Sequence, residues 1–313
     1  MRVRVLLALA LAPLALAACG GGDPAGPNPP TPLVWSNVPS GSTQNINAVW
    51  GTSASDVWAA GYGTVLHYNG TTWTSLSVGA SHWDFGVWGT SASDVWVASQ
   101  SGTPIHYDGA NWTTGPALPI LSLQSIWGTS ASNVWSVGQL GTILHYNGSS
   151  WSSTSMGQSY WLYGVWGASA SDVWVVGFDS NNPPNLPVMF HFNGTSWSSV
   201  STPATQGFRS VLGSSASNVW VVGNGGTIVH YDGTTWSTVP SGTTQPLRSV
   251  WGTSASDVWA VGTYRTILHY DGSSWSTVRS ETTDILFGVW GSSSSNVWAV
   301  GSSGTLLHGA PAG

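Results

Sequence analysis

The sequence contains no lysine, and its 313 residues include six arginines against twelve acidic residues. Charged residues make up only 6% of the chain, and the formal net charge is −6. This balance excludes the basic face that nucleic-acid binding requires. A single cysteine excludes an intrachain disulfide. Disordered chains combine high charge with few aromatic residues, whereas this chain has 22 Trp and 41% hydrophobic residues. The composition therefore predicts a folded protein with a large core.

The first 18 residues have the pattern of a secretory signal peptide. Two arginines precede an apolar run that is too short to span a bilayer. The run ends in Leu-Ala-Ala-Cys at residues 16–19, which resembles the bacterial lipobox. The resemblance implies that Cys19 receives diacylglycerol and becomes the mature N-terminus. Because Gly20 is not Asp, it also implies the outer membrane where a cell has two membranes. The alternative is an ordinary signal peptide that leaves a free thiol.

A Gly- and Pro-rich stretch follows Cys19. Residues 19–32 are therefore predicted to form the lipidated cysteine and a disordered linker, which holds a domain of residues 33–313 off the membrane.

One unit recurs seven times in this domain, and its clearest copy is SVWGTSASDVWAVGTYRTILHYDGSSWSTV at residues 249–278. A repeat with a period near 40 residues indicates a repeat architecture. The Trp of its first Val-Trp pair, or the equivalent Leu, recurs at Trp50, Trp88, Trp127, Trp166, Leu212, Trp251 and Trp290.

Each unit carries four short segments rich in β-branched and aromatic residues, separated by turn signals. The third and fourth segments are joined by Asn-Gly or Asp-Gly, as at Asn69-Gly70, which predicts a two-residue type I′ hairpin turn. No segment has a helical period. The pattern predicts an all-β, seven-bladed β-propeller with four antiparallel strands per blade.

The two ends of the domain predict how the ring closes. The last unit stops at His308 and lacks a fourth strand. An unassigned segment at residues 34–41, VWSNVPSG, nearly matches the fourth-strand segment TWSTVPSG at residues 235–242. We therefore predict that the N-terminal strand pairs with the last blade, which removes two exposed sheet edges.

The blades resemble those of bacterial surface β-propellers with a W-G-T-S-x-S-D-V-W-A-V-G repeat. The hairpin ending in Asp-Gly-x-x-Trp also resembles tectonin-type and Asp-box propellers. The resemblance covers residues 33–308 and implies the propeller fold. Tectonin-like propellers often bind sugars, so it also implies a carbohydrate ligand as one possibility.

Most of the chemically reactive residues occupy repeat positions and are predicted to be structural. Seven of the eight His fall at one position of the third strand, too far apart to share one metal ion. The recurrent Asp and Asn end turns, and they interchange freely. Twenty of the 22 Trp are predicted to pack blade against blade. No metal or cofactor is expected.

The candidate binding residues lie where the blades differ. If each blade has strands A to D from the centre outward, its A–B and C–D turns form one constant face. The B–C and D–A connections form the opposite, variable face, and all four Arg after residue 18 map there. Arg209 and Arg248 begin neighbouring inner strands at one repeat position. That position forms a ring predicted to edge the central channel, namely Asn47, Phe85, Gln124, Tyr163, Arg209, Arg248 and Phe287. The alternative for the arginines is salt bridging to acids on the same face, namely Asp179, Glu281 or Asp284.

Two tryptophans lie outside the repeat positions, in predicted D–A connections. An exposed aromatic ring there could stack on a sugar or anchor a protein, and the alternative is that each covers the neighbouring blade. An insertion at residues 179–187 should overhang the same face in blade four. The predicted ligand-binding residues are Arg209, Arg248, Arg265, Tyr163, Phe287, Trp161 and Trp83.

The sequence therefore predicts a non-catalytic lipoprotein of the bacterial cell envelope, extracytoplasmic and anchored to the membrane through lipid alone. Its variable face would recognise an anionic glycan or protein, and a monomer is expected. One alternative is an enzyme acting on polysaccharide, which needs two carboxyl groups drawn from Asp84, Asp179, Glu281 or Asp284. Another is a structural docking platform in an envelope complex.

Overall fold

The computed structural model describes residues 33–78, 82–115, 122–183, 185–280 and 282–312. The predicted signal peptide, Cys19 and the linker lie outside these residues and stay predictions. Helix is confined, in this part of the chain, to two 3₁₀ turns, η1 (Asn224–Gly226) and η2 (Ser302–Gly304). No helix among the described residues has the length and apolar character needed to cross a membrane.

Seven four-stranded antiparallel sheets form the domain, which confirms the predicted seven-bladed propeller. The inner strands are β2 (Ile46–Ser53), β6 (Asp84–Ser91), β10 (Leu123–Ser130), β14 (Tyr160–Ser169), β18 (Phe208–Ser215), β22 (Leu247–Ser254) and β26 (Leu286–Ser293). The second strands are β3 (Asp56–Gly61), β7 (Asp94–Ser99), β11 (Asn133–Gly138), β15 (Asp172–Asp179), β19 (Asn218–Gly223), β23 (Asp257–Gly262) and β27 (Asn296–Gly301).

The outer half of each blade holds the remaining strands. The third strands are β4 (Thr64–Tyr68), β8 (Ile105–Tyr107), β12 (Thr142–Tyr146), β16 (Leu186–Phe192), β20 (Ile228–Tyr231), β24 (Ile267–Tyr270) and β28 (Leu306–Pro311). The outer strands are β5 (Trp73–Leu76), β9 (Trp112–Thr114), β13 (Trp151–Ser155), β17 (Trp197–Ser199), β21 (Trp236–Thr238), β25 (Trp275–Thr277) and β1 (Leu33–Asn37).

Closure of the ring follows the prediction. Strand β1 pairs antiparallel with β28, with Leu33 opposite Pro311 and Asn37 opposite Leu307, so blade seven contains both ends of the domain. Trp35 is 5% exposed, and its ring meets that of Trp259 in blade six at 5.6 Å, edge to face. The closing strand therefore adds side-chain packing as well as backbone hydrogen bonds.

The recurrent Trp-Gly pair sets the spacing between blades at the centre of the ring. The side chain of Trp50 lies so close to Gly89 of the next inner strand that a Cβ on Gly89 would lie 3.0 Å from it. The same contact joins the last blade to the first, where a Cβ on Gly51 would lie 2.8 Å from Trp290. Only a glycine leaves room for the indole at these points.

A second recurrent network holds the two middle strands together in blades one to six. In blade one, Nε2 of His67 lies 2.7 Å from Oδ1 of Asp56, and the imidazole stacks on Trp58 at 4.1 Å. In blade three Asn133 replaces the acid, at 2.6 Å from His145. Asp and Asn serve equally because each offers an acceptor oxygen. These contacts give the repeat His and Asx residues a structural role.

The C–D turns differ from the prediction. Strands β4 and β5 last pair at Tyr68 and Trp73, so residues 69–72 form a four-residue loop. Oδ1 of Asn69 accepts hydrogen bonds from the second and third backbone N–H groups after it, both at 3.0 Å. Gly70 alone in this loop has a positive φ, +93°. The predicted two-residue type I′ turn is therefore wrong, because the Asx side chain caps a longer loop.

Candidate functional site at the channel mouth

Seven residues, one from each blade, surround a cavity of about 410 Å³ on the variable face. This cavity and its lining are called the channel mouth. It lies within the range typical of small-ligand sites. The ring is the one predicted from the repeat: Asn47, Phe85, Gln124, Tyr163, Arg209, Arg248 and Phe287. Trp83 and Trp161 also line it. Below the mouth, the inner strands of all seven blades enclose a narrower space of about 150 Å³.

The mouth has one cationic side. Arg209 lies over Tyr163, with its guanidinium carbon 4.4 Å from the ring centre, and its Nε donates to Oδ1 of Asn224 at 3.1 Å. Arg248 follows in blade six and is half-buried. Burial, and then the positive charge of Arg209, lower the pKa of Arg248 from its ordinary value. The guanidinium group of Arg248 nevertheless remains charged at neutral pH.

Arg248 has an unmet hydrogen-bonding requirement. Its Nε is buried and has no hydrogen-bond partner among the described residues. A buried donor without an acceptor costs free energy, and the cost is greater for a charged group. An anion bound to the two neighbouring guanidinium groups from the mouth would offset the repulsion between them.

The proposed acidic partners of these arginines are engaged elsewhere. Asp284 accepts hydrogen bonds from Ser302 at 3.1 Å and Thr305 at 2.8 Å. Asp179 accepts from the backbone N–H of Asn181 at 3.0 Å. Glu281 lies outside the described residues. Where the structure describes both partners, every ion pair joins a His to an Asp, so the alternative of arginine salt bridges finds no support there.

Blade two supplies an aromatic side to the mouth. Trp83 forms a β-bridge with Tyr62, and their rings lie 4.9 Å apart. The rings of Trp83 and Phe85 are nearly parallel, with centres 6.4 Å apart. In a ring of seven blades, blade two lies opposite the boundary between blades five and six. Its aromatic pair therefore faces the two arginines across the cavity.

Blade four supplies a second aromatic side, and here the sequence interpretation needs correction. Trp161 is not in a connection but in strand β14, which the insertion lengthens by pairing Tyr160 with Asp179. Its partner in β15 is Phe178, and their rings stack at 6.0 Å. The insertion therefore extends three strands of the blade. It places Trp161 beside Tyr163, with the centres of the two rings 6.4 Å apart.

The sequence reasoning missed a second ring of residues, at the repeat position that directly follows Gly61 in blade one and its equivalents in the other blades. Phe178 and Asn224 belong to it, and both contact Arg209. Gln100 and Gln139 also belong to it and line the mouth. The signal was present in the sequence, because this position holds six different residue types in the seven blades. From blade one to blade seven, the residues at this position are Tyr62, Gln100, Gln139, Phe178, Asn224, Thr263 and Ser302.

Arg265 is not brought into the mouth. It lies in the B–C turn of blade six at a φ of +61° and is exposed, next to Tyr264, which is 77% exposed. Arg279 is also exposed. Of the seven predicted ligand-binding residues, the structure therefore gathers all but Arg265 around one cavity.

A more open groove of about 680 Å³ lies on the same face, beside blade five. Its walls are Ser, Thr, Pro and small apolar residues, such as Ala204 and Thr243. It contains neither a charged nor an aromatic side chain, so the channel mouth is chemically the more distinctive site.

No protein-family model matches this chain, and no curated protein matches it. Solved structures do resemble it. YCF48 bound to D1 peptide superposes with a TM-score of 0.72 at 16% identity, over 91% of this chain and 99% of that one. YCF48 from Cyanidioschyzon merolae superposes with a TM-score of 0.71 at 14% identity, over 88% of this chain and 99% of that one. The WD40 β-propeller domain of Doa1 superposes with a TM-score of 0.77 at 14% identity, over 90% of this chain and 98% of that one. At these identities the likeness concerns the fold alone, so this chain shares the β-propeller architecture with these proteins.

Proposed function

We propose that this protein is a non-catalytic binding propeller that captures an anionic ligand in its channel mouth. The observation that carries the proposal is the Arg209–Arg248 pair, in which the buried Nε of Arg248 has no acceptor among the described residues. Two adjacent guanidinium groups can hold a carboxylate or sulfate through parallel hydrogen bonds. The aromatic sides contributed by blades two and four suit a sugar ring or an apolar side chain attached to that anion.

The described carboxyl groups on the variable face favour binding over catalysis. Asp84, Asp179 and Asp284 lie in different blades, and each is held by its own neighbours. A glycoside hydrolase needs two carboxyl groups on either side of one bond. Release of reducing ends from acidic polysaccharides by the purified chain would instead support the alternative of an enzyme.

The ligand class is an acidic glycan or a peptide that bears a carboxylate. Structural similarity to YCF48 bound to D1 peptide supports the peptide branch, since a propeller of this architecture can hold a peptide. A binding screen of the full-length chain against acidic oligosaccharides and peptides with free C-terminal carboxylates separates the two branches. Neutral sugars and C-terminally amidated peptides serve as matched controls. Equal binding to the charged ligands and to their neutral controls would contradict the proposal.

Replacing Trp161 with Ala is expected to weaken binding of a hit from this screen by roughly tenfold, about 1–2 kcal/mol, because a stacking surface is lost. Tyr264→Ala is the matched control, since Tyr264 is 77% exposed on the same face and outside the mouth lining. Calorimetric titration of both variants checks the prediction. Unchanged affinity for Trp161→Ala would assign Trp161 to packing on Phe178 alone.

The proposed location is the outer surface of a bacterial membrane, through a lipid on Cys19. The lipobox at residues 16–19 supports it. Acyl chains drive partition into membranes, so the wild-type chain should enter the membrane fraction and incorporate labelled palmitate. Cys19→Ser should abolish the label and leave the protein unprocessed or soluble. A wild-type chain that takes up no label would count against the anchor.

A further inference from the structure

Blade two breaks the repeat at a buried position beside the channel mouth. Four residues before the inner-strand Trp, the other six blades carry an apolar side chain. All six are fully buried: Ile46, Leu123, Leu162, Phe208, Leu247 and Leu286. Blade two has Asp84 there, and it is also 0% exposed. A lone carboxylate in an apolar slot is costly, so a side chain of this kind calls for an explanation.

A second break accompanies the first. The second-strand residue that pairs with this position is Gly in six blades. In blade two it is Ser99, which pairs with Asp84 and is fully buried. Nδ1 of His82 lies 2.8 Å from Oδ1 of Asp84 and 3.0 Å from the Ser99 hydroxyl. Asp84, His82 and Ser99 therefore form one cluster, found in this blade and in no other among the described residues.

The cluster can change charge under mildly acidic conditions. Burial raises the pKa of Asp84 to about 6, against the opposing effect of the positive charge that His82 can carry. His82 is the titratable group that faces Asp84. Ser99 on β7 and Asn47 on β2 are its polar but uncharged neighbours. Arg209 and Arg248 are the charged groups on the far side of the mouth.

The cluster is joined directly to the lining of the mouth. Its members His82 and Asp84 flank Trp83, and Phe85 follows Asp84. The side-chain amide of Asn47, from the ring, donates to the backbone oxygen of Asp84 at 2.9 Å. The charge of Asp84 therefore lies immediately behind the aromatic side of blade two, which faces the arginine pair.

We propose that the Asp84–His82–Ser99 cluster couples anion binding at the channel mouth to protonation, so that the ligand is held more tightly as the surroundings become more acidic. This proposal rests on the proposed function. An ionised Asp84 repels an anion in the mouth, and its protonation removes that repulsion. In general, a unit charge on the order of 10 Å from another in a partly buried setting changes affinity by about three- to tenfold.

The sign of the linkage can be checked on stability without any ligand. The folded-state pKa of Asp84 lies above the unfolded value, so its contribution to stability is present below about pH 4 and is lost as pH rises through about 6. Asp84→Leu gives blade two an apolar side chain like those at this position in the other blades. It should raise the melting temperature most at neutral pH. The gain should shrink on acidification. Because His145, His230 and His308 are common to both proteins, their titration cancels in the comparison.

The deciding experiment uses 1-anilinonaphthalene-8-sulfonate, an aromatic sulfonate whose charge is constant between about pH 5 and about pH 8. Its dissociation constant is measured across this range for the full-length wild type, Asp84→Leu, Asp84→Asn and the Arg209→Ala/Arg248→Ala double variant. We expect wild-type affinity to rise about three- to tenfold towards pH 5 and both Asp84 variants to show a flatter profile. Asp84→Asn, nearly isosteric, covers the case in which Asp84→Leu folds poorly.

The outcomes separate the two proposals. If the double arginine variant binds the probe as the wild type does, or if the wild type does not bind it, the proposed function is wrong and this inference falls with it. If binding needs the arginines but is independent of pH, or if the Asp84 variants keep the wild-type profile, the proton linkage alone is wrong. His82→Gln in the same assay shows how much of the profile belongs to the imidazole.

Discussion

Deleting residues 33–40 is expected to cost the propeller more stability than any single substitution in an outer strand. The deletion removes strand β1, exposes the edge of β28 and takes Trp35 out of the contact between blades six and seven. Loss of one buried Trp costs about 3–5 kcal/mol, and the lost strand pairing adds to it. Since whole domains are stable by about 5–15 kcal/mol, a large fraction of the truncated chain should be unfolded.

Point variants separate side-chain packing from strand pairing. Trp35→Ala should lower the free energy of unfolding by about 3–5 kcal/mol and the melting temperature by roughly 5–15 °C. Val34→Ala, in the same strand but 57% exposed, is the matched control and should change little. Trp275→Ala tests the equivalent outer-strand position of blade six, where the Trp is also buried. The stability of the wild type and of all four variants is measured by thermal and urea unfolding. A truncated protein that melts with the wild type would contradict closure through β1.

The fold could be predicted because seven copies of one unit each show which residue type a given position requires. A core position appears as Val or Trp in nearly every blade, and an Asx ends the A–B turn in all seven, so the strands and their order are specified many times over. The near-identity of residues 34–41 and 235–242 fixed the closure in the same way. The C–D turn was mispredicted because Asn-Gly has two uses. Only the backbone distinguishes a two-residue turn from a loop capped by Oδ1 of Asn69.

The site could be predicted only where it occupies a repeat position. The ring of inner-strand residues stood out because Arg209 and Arg248 occupy the same repeat position as five other residues. The seven side chains at that position line one cavity at the centre of the propeller. Phe178 and Asn224 escaped notice because each looks ordinary alone. Their role depends on the approach of Arg209, which contacts Asn224 in its own blade and Phe178 across the boundary with blade four. Trp161 was assigned to a loop because the sequence does not show that an insertion lengthens paired strands.

Asp84 illustrates a different limit. In one sequence, an acid close to a connection reads as an exposed loop residue, and it was considered only as a candidate catalytic carboxylate. Its register with Ile46 and Leu123 shows that it fills a core position, and the structure places it fully out of solvent. Departures from a repeat thus carry more functional information than its consensus, because the consensus already accounts for the fold.

Replacing both Arg209 and Arg248 with Ala is expected to reduce affinity for an anionic ligand by at least about 100-fold. Each charge-assisted hydrogen bond to a ligand contributes about 1.5–3 kcal/mol, and about 1.4 kcal/mol corresponds to a tenfold change in affinity. Wild-type binding should weaken with added salt, and the remaining binding of the double variant should depend on salt much less. Arg209→Lys/Arg248→Lys keeps the charge but loses the planar fork, so it should recover only part of the affinity.

The control for this experiment is the double variant Arg265→Ala/Arg279→Ala, which removes the same charge from the same face. Both residues are exposed and neither lines the mouth, so affinity should change by less than about threefold if contact rather than net charge drives binding. Stability provides a second distinction. Removing half-buried, like-charged groups should leave the melting temperature of the Arg209/Arg248 variant unchanged or slightly higher. Calorimetry and thermal unfolding on the same samples decide. Equal affinities for wild type and the mouth variant, or a mouth variant that loses binding only because it unfolds, would show that these arginines serve the fold instead of a ligand.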